Sequence, residues 1–185
     1  MQNYNGVYFY GMIIEKEIIS RLPRDFIFTV QTIKLDTTYF KKRIVEGVKN
    51  SNLNYKTNVQ GKHTEWRFFN NDQKFVAIMM EMIDRLEKLP IALDRFLLAE
   101  SWGLIENFGE YTKIHSHEPN YISGVLYLND HPQKLYFPDI NQEVTPKSGK
   151  LVIFSSFLKH FTDRNSEHKE KYAISFNFRY GSILE

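Results

Sequence analysis

His115 and His117 are separated by a single residue, and His160 stands further along the chain at the end of the segment GKLVIFSSFLKH. Alternate side chains of a β-strand leave the same face, so on a strand the first two imidazoles lie side by side. Such a pair is uncommon in a core, because each ring brings two nitrogens that need hydrogen-bond partners. Imidazole is a frequent metal ligand. The spacing therefore predicts a metal site, with two exposed loop histidines as the alternative reading of the pair alone.

The composition narrows the possible chemistry. The chain of 185 residues contains no cysteine, which excludes disulfides, zinc–thiolate sites and thiol catalysis, and leaves His, Asp and Glu as metal ligands. Its 24 Lys and Arg residues against 22 Asp and Glu residues give a net charge of +2, so the sequence carries no strong nucleic-acid signal. His63, His131 and His168 stand in polar, turn-like surroundings, and we expect them at the surface.

The N-terminal segment lacks the basic start, apolar middle and small-residue cleavage site of a secretion signal. The apolar stretches of the chain are shorter than a membrane-spanning helix requires. The sequence therefore predicts a cytoplasmic protein without a membrane partner.

Two helices are predicted in the first half of the chain. Asp36 and the two threonines that follow it form the expected N-cap of a helix over residues 39–49, and Asn71 or Asp72 caps a second helix that ends before Pro90. The apolar side chains of the second helix recur three and four positions apart, as expected of one buried face: Phe75, Met79, Met82, Ile83 and Leu86. Residues 50–64 are polar and weakly patterned, which indicates a loop.

Strands dominate the second half of the chain. Apolar or alternating runs bounded by turn residues predict strands at residues 26–35, 96–108, 121–128, 134–137, 151–154 and 172–178. Helices followed by five or more short strands favour a mainly β fold with packing helices, built on a double-stranded β-helix (jelly roll). We expect a single domain over residues 1–185, with residues 1–93 as a mixed helix and strand support and residues 94–180 as the jelly-roll core.

Several motifs follow one another in the second half. Gly109, Tyr111, His115 and His117 form the pattern GxYxxxHxH, and SGVLYL, GKLVIFSSFLKH, Lys171 and AISFNF come after it in that order. This series resembles the 2-oxoglutarate- and Fe(II)-dependent oxygenases, including their prolyl-hydroxylase-like branch. It is more similar still to a subgroup of small bacterial and phage-like oxygenases with an HxH motif. The resemblance covers residues 96–178, and the N-terminal third matches no family that we can name.

The resemblance implies an enzyme that binds Fe(II) through three ligands, His115, His117 and His160. It implies 2-oxoglutarate as cosubstrate and dioxygen as oxidant, and it makes Lys171 the partner of the distal carboxylate of 2-oxoglutarate. Tyr127 and Asn177 join Lys171 as cofactor-binding residues. Alternatively, Tyr127 is an ordinary core tyrosine and the Asn177 amide hydrogen-bonds the backbone. Trp102 and Tyr111 are interpreted as packing residues. The implied reaction couples oxidative decarboxylation of 2-oxoglutarate to hydroxylation of a protein side chain, such as proline, with a nucleobase or a small molecule as the alternative substrates.

Two residues depart from the pattern of the family. His117 stands where an Asp or Glu ligand is usual, and three neutral imidazoles leave the metal more positively charged than two imidazoles and a carboxylate. Glu118 and Asp139 stay open as alternative carboxylate ligands. Lys171 stands where arginine is usual, so the charge is kept while the bidentate fork is lost.

Two other functions remain open on the sequence. A cupin-like dioxygenase could bind iron through the same three histidines without using 2-oxoglutarate, in which case Lys171 has no part in the site. A non-catalytic jelly-roll module could use the histidines for a structural metal or for none. Iron content separates the second alternative from the two enzymes, and dependence on 2-oxoglutarate separates the enzymes from each other.

Overall fold

The computed structural model describes residues 13–20, 26–51, 57–88 and 95–181. The helices in these residues are α1 (Thr37–Lys49) and α2 (Gln73–Leu86). The strands are β1 (Ile13–Ser20), β2 (Phe26–Thr32), β3 (Lys62–His63), β4 (Phe96–Glu106), β5 (Ile122–Tyr127), β6 (Leu135–Phe137), β7 (Gln142–Val144), β8 (Lys150–Ser155), β9 (Phe161–Thr162) and β10 (Lys171–Tyr180).

Two antiparallel sheets form the fold. The larger sheet has the strand order β1-β2-β8-β5-β10-β4-β3, and the smaller sheet has the order β7-β6-β9. From β4 onwards the chain passes back and forth between them, with β5, β8 and β10 in the larger sheet and β6, β7 and β9 in the smaller. This alternation is the winding of a double-stranded β-helix. The mainly β jelly-roll class predicted from the sequence is confirmed.

The central strands of the larger sheet are buried on both faces. In β8, Val152 and Phe154 pack into the space between the two sheets beside Phe137 of β6. Leu151 and Ile153 point the other way, into the cluster that contains the apolar faces of both helices. A strand covered on both faces consists of apolar residues without alternation, which is why LVIF stands out in the sequence as a continuous run.

The helices cover the outer face of the larger sheet. α1 lies against β4, where Gly103 allows the approach of Ile44, since a methyl group at position 103 would collide with that side chain. Asp36 caps α1 and Asp72 caps α2, each through its side chain, as the sequence predicts. Helix α1 therefore packs on the outer face of β4, and the inner face of β4 lines the space between the sheets.

Some elements differ from the sequence-based expectation. β3, β7 and β9 are two or three residues long, and they form because a neighbouring strand offers backbone partners, which composition does not reveal. The segment predicted as a loop over residues 50–64 contains β3. β1 was not predicted, and with β2 it extends the larger sheet through the β2–β8 pairing. Pro90 lies outside the described residues.

Neither of the helices in the described part of the chain combines the length and the apolar character that crossing a membrane requires.

Asp72→Ala is expected to lower the free energy of unfolding by about 2–3 kcal/mol. The Asp72 side chain is buried and accepts hydrogen bonds from the Phe75 backbone N–H (3.1 Å) and from the Tyr39 hydroxyl (2.8 Å). Asp36→Ala is the matched control, because Asp36 caps α1 from an exposed position, and we expect it to cost about 1 kcal/mol. Urea unfolding followed by circular dichroism measures both, and equal losses would contradict the role given to burial of Asp72.

Candidate metal centre

Three imidazole rings meet at one end of the space between the sheets. The possible ligand atoms of His115, His117 and His160 all lie within 4.8 Å of one another. Ring centroids are 4.3 Å apart for His115 and His160, 4.8 Å for His115 and His117, and 5.0 Å for His117 and His160. The structure therefore brings together the three histidines that the sequence singles out.

Backbone hydrogen bonds hold the segments that carry these rings. The His115 N–H donates to the His160 carbonyl (3.1 Å), and the His160 N–H donates to the His115 carbonyl (2.9 Å). The His117 N–H donates to the carbonyl of Ser156 (2.8 Å). The HxH segment follows β4 as an extended stretch rather than as a regular strand, and it joins the edge of β9 through the isolated bridge between His115 and His160.

Two of the rings have their tautomer set by a backbone carbonyl. His115 Nδ1 lies 2.7 Å from the Lys113 carbonyl, and His160 Nδ1 lies 3.0 Å from the Leu158 carbonyl. A carbonyl oxygen only accepts, so Nδ1 carries the proton in both rings and Nε2 keeps its lone pair. This is the usual outer support of a metal-binding histidine. The His117 ring packs between Trp102 (6.1 Å between centroids) and Phe154 (6.4 Å).

Burial keeps the three imidazoles neutral. It lowers the pKa of His115, against the opposing effect of the Lys113 carbonyl, and with the neighbouring rings it holds the pKa of His117 well below the usual range. Burial together with the neighbouring His115 lowers the pKa of His160 to about 3. A neutral ring has a lone pair to offer, so at neutral pH the cluster is ready to bind a metal.

No carboxylate belongs to this cluster. Within the described segments, the group of three or more His, Asp or Glu residues close enough to share a metal consists of the three histidines alone. Asp139 instead accepts a hydrogen bond from the Lys159 backbone N–H (2.8 Å). Glu118 lines an outer cleft beside His117. The geometry therefore favours a three-histidine ligand set over one that contains Glu118 or Asp139.

A narrow inner cavity of about 50 Å³ lies on one side of the histidines. Lys171 and Tyr127 are among the residues that line it, and their role in binding a cosubstrate stays a prediction. Lys171 begins β10 and stands directly opposite Glu106, the last residue of β4. The two side chains form an ion pair, with 3% of the lysine and 2% of the glutamate side chain exposed. Lys171 is therefore a buried cation that already has a protein partner.

The Glu106 carboxylate has a second hydrogen-bond donor besides Lys171. Its second carboxylate oxygen accepts from the Thr112 hydroxyl at 3.0 Å. The Thr112 backbone N–H donates to the Thr162 hydroxyl at 2.9 Å, which ties the HxH segment to β9. Burial, with a smaller contribution from the charge of Glu106, raises the pKa of Tyr127 above its usual value, so its phenol stays protonated.

An outer cleft of about 570 Å³ lies on the other side of the histidines and shares His115, His117, Val59 and Trp102 with the inner cavity. Trp66 and Trp102 form aromatic walls, packed edge to face at 4.9 Å between centroids. Trp102 Nε1 is buried and has no hydrogen-bond partner among the described residues. The cleft therefore offers aromatic ring surface close to His117.

Asn177 lies in the outer cleft rather than in the inner cavity with Lys171. Its side-chain amide donates to Glu100 (3.0 Å) and its carbonyl oxygen accepts from the Ser123 hydroxyl (2.8 Å). Ser123 in turn shares a hydrogen bond of 2.7 Å with Ser156, whose backbone carbonyl holds His117. Asn177 is thus linked to the HxH segment through Ser123 and Ser156. Its cofactor-binding role stays a prediction.

Sequence reasoning missed Glu106 and misplaced two histidines. A lone glutamate at the end of an apolar strand gives no signal until the pairing register sets it opposite Lys171. His168 is exposed, as predicted, but the surface prediction is wrong for His131, which is 3% exposed and hydrogen-bonded to the Lys169 carbonyl at 3.0 Å. It is also wrong for His63, which is buried against Trp66.

No protein-family model matches the chain, and no curated protein matches it either. Several solved structures, in contrast, are similar to the chain. A viral collagen prolyl hydroxylase from Paramecium bursaria Chlorella virus-1, in a 2OG complex, is 12% identical with a TM-score of 0.66 over 83% of this chain and 96% of that one. A prolyl-4-hydroxylase from Pseudomonas putida is 19% identical, with a TM-score of 0.59 over 84% and 93%. HygX from Streptomyces hygroscopicus, with nickel and 2-oxoglutarate bound, is 10% identical, with a TM-score of 0.63 over 85% and 84%. At such identities the likeness is one of fold.

Without bound metal, the protein is expected to lose stability as the pH falls below about 6.5, the usual pKa of an unfolded histidine. Below that value the unfolded chain takes up a proton at position 160, whereas the folded chain does so only near the lowered pKa of His160, about 3. For His160 alone the loss between about pH 7.5 and pH 5 is about 2 kcal/mol.

Urea unfolding in a chelating buffer at both pH values measures this loss. His160→Gln should reduce the pH dependence, whereas His168→Gln, a change at an exposed histidine stacked on Phe108, should leave it as it is. An unchanged pH dependence in His160→Gln would contradict the burial of a neutral imidazole.

Proposed function

We propose that the protein is an Fe(II)- and 2-oxoglutarate-dependent oxygenase that hydroxylates its substrate. The observation that supports this most strongly is the cluster of His115, His117 and His160, set in a fold that enzymes with bound metal and 2-oxoglutarate share. Three facial protein ligands leave room on an octahedral metal for a bidentate keto acid and for dioxygen.

The residues present fit the metal and the cosubstrate. All three ligands are neutral imidazoles, a donor type suited to Fe(II), and His115 and His160 are oriented by backbone carbonyls. Lys171 supplies a cation in the inner cavity, and the hydroxyls of Thr112, Thr162 and Tyr127 line the same space. Held there, Fe(II) would activate dioxygen as the oxidant and 2-oxoglutarate would supply two electrons, so that one oxygen atom enters succinate, released with carbon dioxide, and the other enters the hydroxylated substrate.

The protein's own contribution is to orient the reactants and to exclude water. The Lys171 ammonium, which is 3% exposed in the cavity wall, binds the distal carboxylate of the cosubstrate. Tyr127 keeps its proton and can donate it to a ligand oxygen. Phe137 and Phe154 pack around His160, at 5.7 and 4.7 Å between ring centroids, and so keep the rear of the site dry.

We assign the substrate to the outer cleft, which reaches the histidines from the side away from Lys171. Trp66 and Trp102 offer an aromatic wall for an apolar or ring-shaped group. A protein side chain such as proline and a small molecule both fit this description. Among proteins of this fold, one prolyl hydroxylase is bound to a peptide fragment and HygX is bound to hygromycin B.

A second function, an iron dioxygenase that does not use 2-oxoglutarate, is favoured by one observation. Lys171 is already paired with Glu106 in the inner cavity, whereas a lysine awaiting a carboxylate needs no protein partner. In this case the ion pair serves only the stability of the barrel.

Anaerobic titration of the Fe(II)-loaded protein with 2-oxoglutarate tests the proposal through the visible charge-transfer band of the chelate. We expect a saturable band that is lost in His115→Ala and in His160→Ala, since two imidazoles hold the metal poorly. Lys171→Ala should keep the iron and weaken 2-oxoglutarate by at least about tenfold. Lys169→Ala, at an exposed lysine two positions earlier, is the control and should bind as the wild type does.

Bound iron without a band would favour the dioxygenase that ignores 2-oxoglutarate. Absence of bound iron under anaerobic conditions would contradict both enzymatic readings and leave the non-catalytic jelly-roll module.

A further inference from the structure

The inner cavity contains two buried charges that cancel each other. Glu106 and Lys171 are directly opposite on β4 and β10, and their ion pair lies in the cavity wall. Burying such a pair costs desolvation energy, and an apolar pair of similar volume is often as stable. A buried ion pair is therefore weak evidence for stability, and the position of this one in the cavity wall points to a role of its charges toward a ligand.

The other polar groups in the cavity wall are neutral. An imidazole that binds a metal is neutral, and the Lys113 and Leu158 carbonyls hold His115 and His160 in the tautomer whose Nε2 is unprotonated. The Tyr127 phenol keeps its proton. Thr112, Thr162 and Ser175 contribute uncharged hydroxyls. With Glu106 and Lys171 both ionised, the wall as a whole has no net charge, and a divalent metal on the imidazoles brings two positive charges to it.

We propose that Glu106 sets the charge of this cavity to match a dianion, an inference that rests on the proposed function. A metal with three neutral ligands lacks the negative charge that a carboxylate ligand would bring. Glu106 supplies that charge beside Lys171 instead of on the metal. The metal-loaded cavity then carries two positive charges, which one 2-oxoglutarate dianion neutralises, whereas a keto acid without a distal carboxylate leaves one positive charge buried.

A second glutamate of β4, Glu100, has no cation opposite it and so differs from Glu106. Glu100 also faces the space between the sheets, but it stands opposite Asn177, from which it accepts a hydrogen bond at 3.0 Å. It lines the outer cleft and has no cation as its cross-strand neighbour. Glu100→Gln is therefore a matched control, since it removes one carboxylate from the same face of β4 and leaves the Lys171 pair intact.

The test compares two keto acids on the metal-loaded protein, 2-oxoglutarate and 2-oxovalerate, which has the same chain without the distal carboxylate. Affinities come from the anaerobic charge-transfer titration and from calorimetry on the Ni(II)-loaded protein, so turnover is not needed. In Glu106→Gln the metal-loaded cavity carries three positive charges instead of two, and Lys171 has no competing carboxylate. The doubly charged keto acid therefore gains more attraction than the singly charged one. We expect 2-oxoglutarate to bind about tenfold more tightly, while 2-oxovalerate changes by less than about threefold. Glu100→Gln should alter neither affinity.

A double-variant cycle separates a charge-setting role from a structural one. Lys171→Met alone leaves Glu106 unpaired, and 2-oxoglutarate should bind about a hundredfold more weakly. Adding Glu106→Gln to Lys171→Met removes the unpaired negative charge, and we expect it to recover about tenfold of that loss. If Glu106 only positioned the lysine, its removal would have no effect once the lysine is gone. The double variant has no unpaired buried charge, so it tests the proposal even if Glu106→Gln does not fold.

The outcomes are distinguishable. Wild-type protein that binds iron and 2-oxoglutarate, with no tightening in folded Glu106→Gln and no recovery in the double variant, overturns the charge-setting role and leaves the proposed function standing. Wild-type protein that binds iron and shows no affinity for 2-oxoglutarate overturns both. Equal tightening in Glu100→Gln and Glu106→Gln would make the effect a general electrostatic one and would overturn the assignment to Glu106.

Discussion

Two reciprocal backbone hydrogen bonds join His115 to His160, and the arrangement of the candidate site depends on them. His115 and His160 belong to segments far apart in sequence, and neither segment is part of a regular strand at that point. Their pairing places two imidazoles 4.3 Å apart, and a third bond, from His117 to Ser156, brings in the remaining ring. Because main-chain atoms make these contacts, the side chains remain available for a ligand.

The register between β4 and β10 organises the space on either side of the histidines. Side chains two apart on each strand face the same way, so Glu106, Trp102 and Glu100 line the space between the sheets. Antiparallel pairing sets Lys171 opposite Glu106 at one end and Asn177 opposite Glu100 at the other. A shift of one residue in this register would move all these groups into the helix-packed core. The same strands therefore present polar residues to the site on one face and apolar residues to the core on the other.

The sequence predicted the helices with their caps, the long apolar strands and the three histidines, because each of these leaves a local signal. Burial on one helix face dictated the spacing from Phe75 to Leu86, and burial on both faces of β8 dictated LVIF. It did not predict β9 or the ion pair of Glu106, since both depend on which segments become neighbours. The polar context of His131 predicted a surface position, yet its ring is buried and lies 3.0 Å from the carbonyl of Lys169, which only the folded chain brings near it.

Burial and charge act together on this site. The aromatic residues around His160 remove water from the rings, which lowers their pKa and keeps their lone pairs available, but the same dry surroundings make any uncompensated charge expensive. Lys171 and Glu106 place opposite charges next to each other in these surroundings, and Thr112 donates a hydrogen bond to the Glu106 carboxylate. The same dry surroundings thus hold neutral imidazoles suited to a metal and an ion pair whose two charges balance each other. If the proposed function holds, Glu106 also determines how much negative charge the cosubstrate must bring.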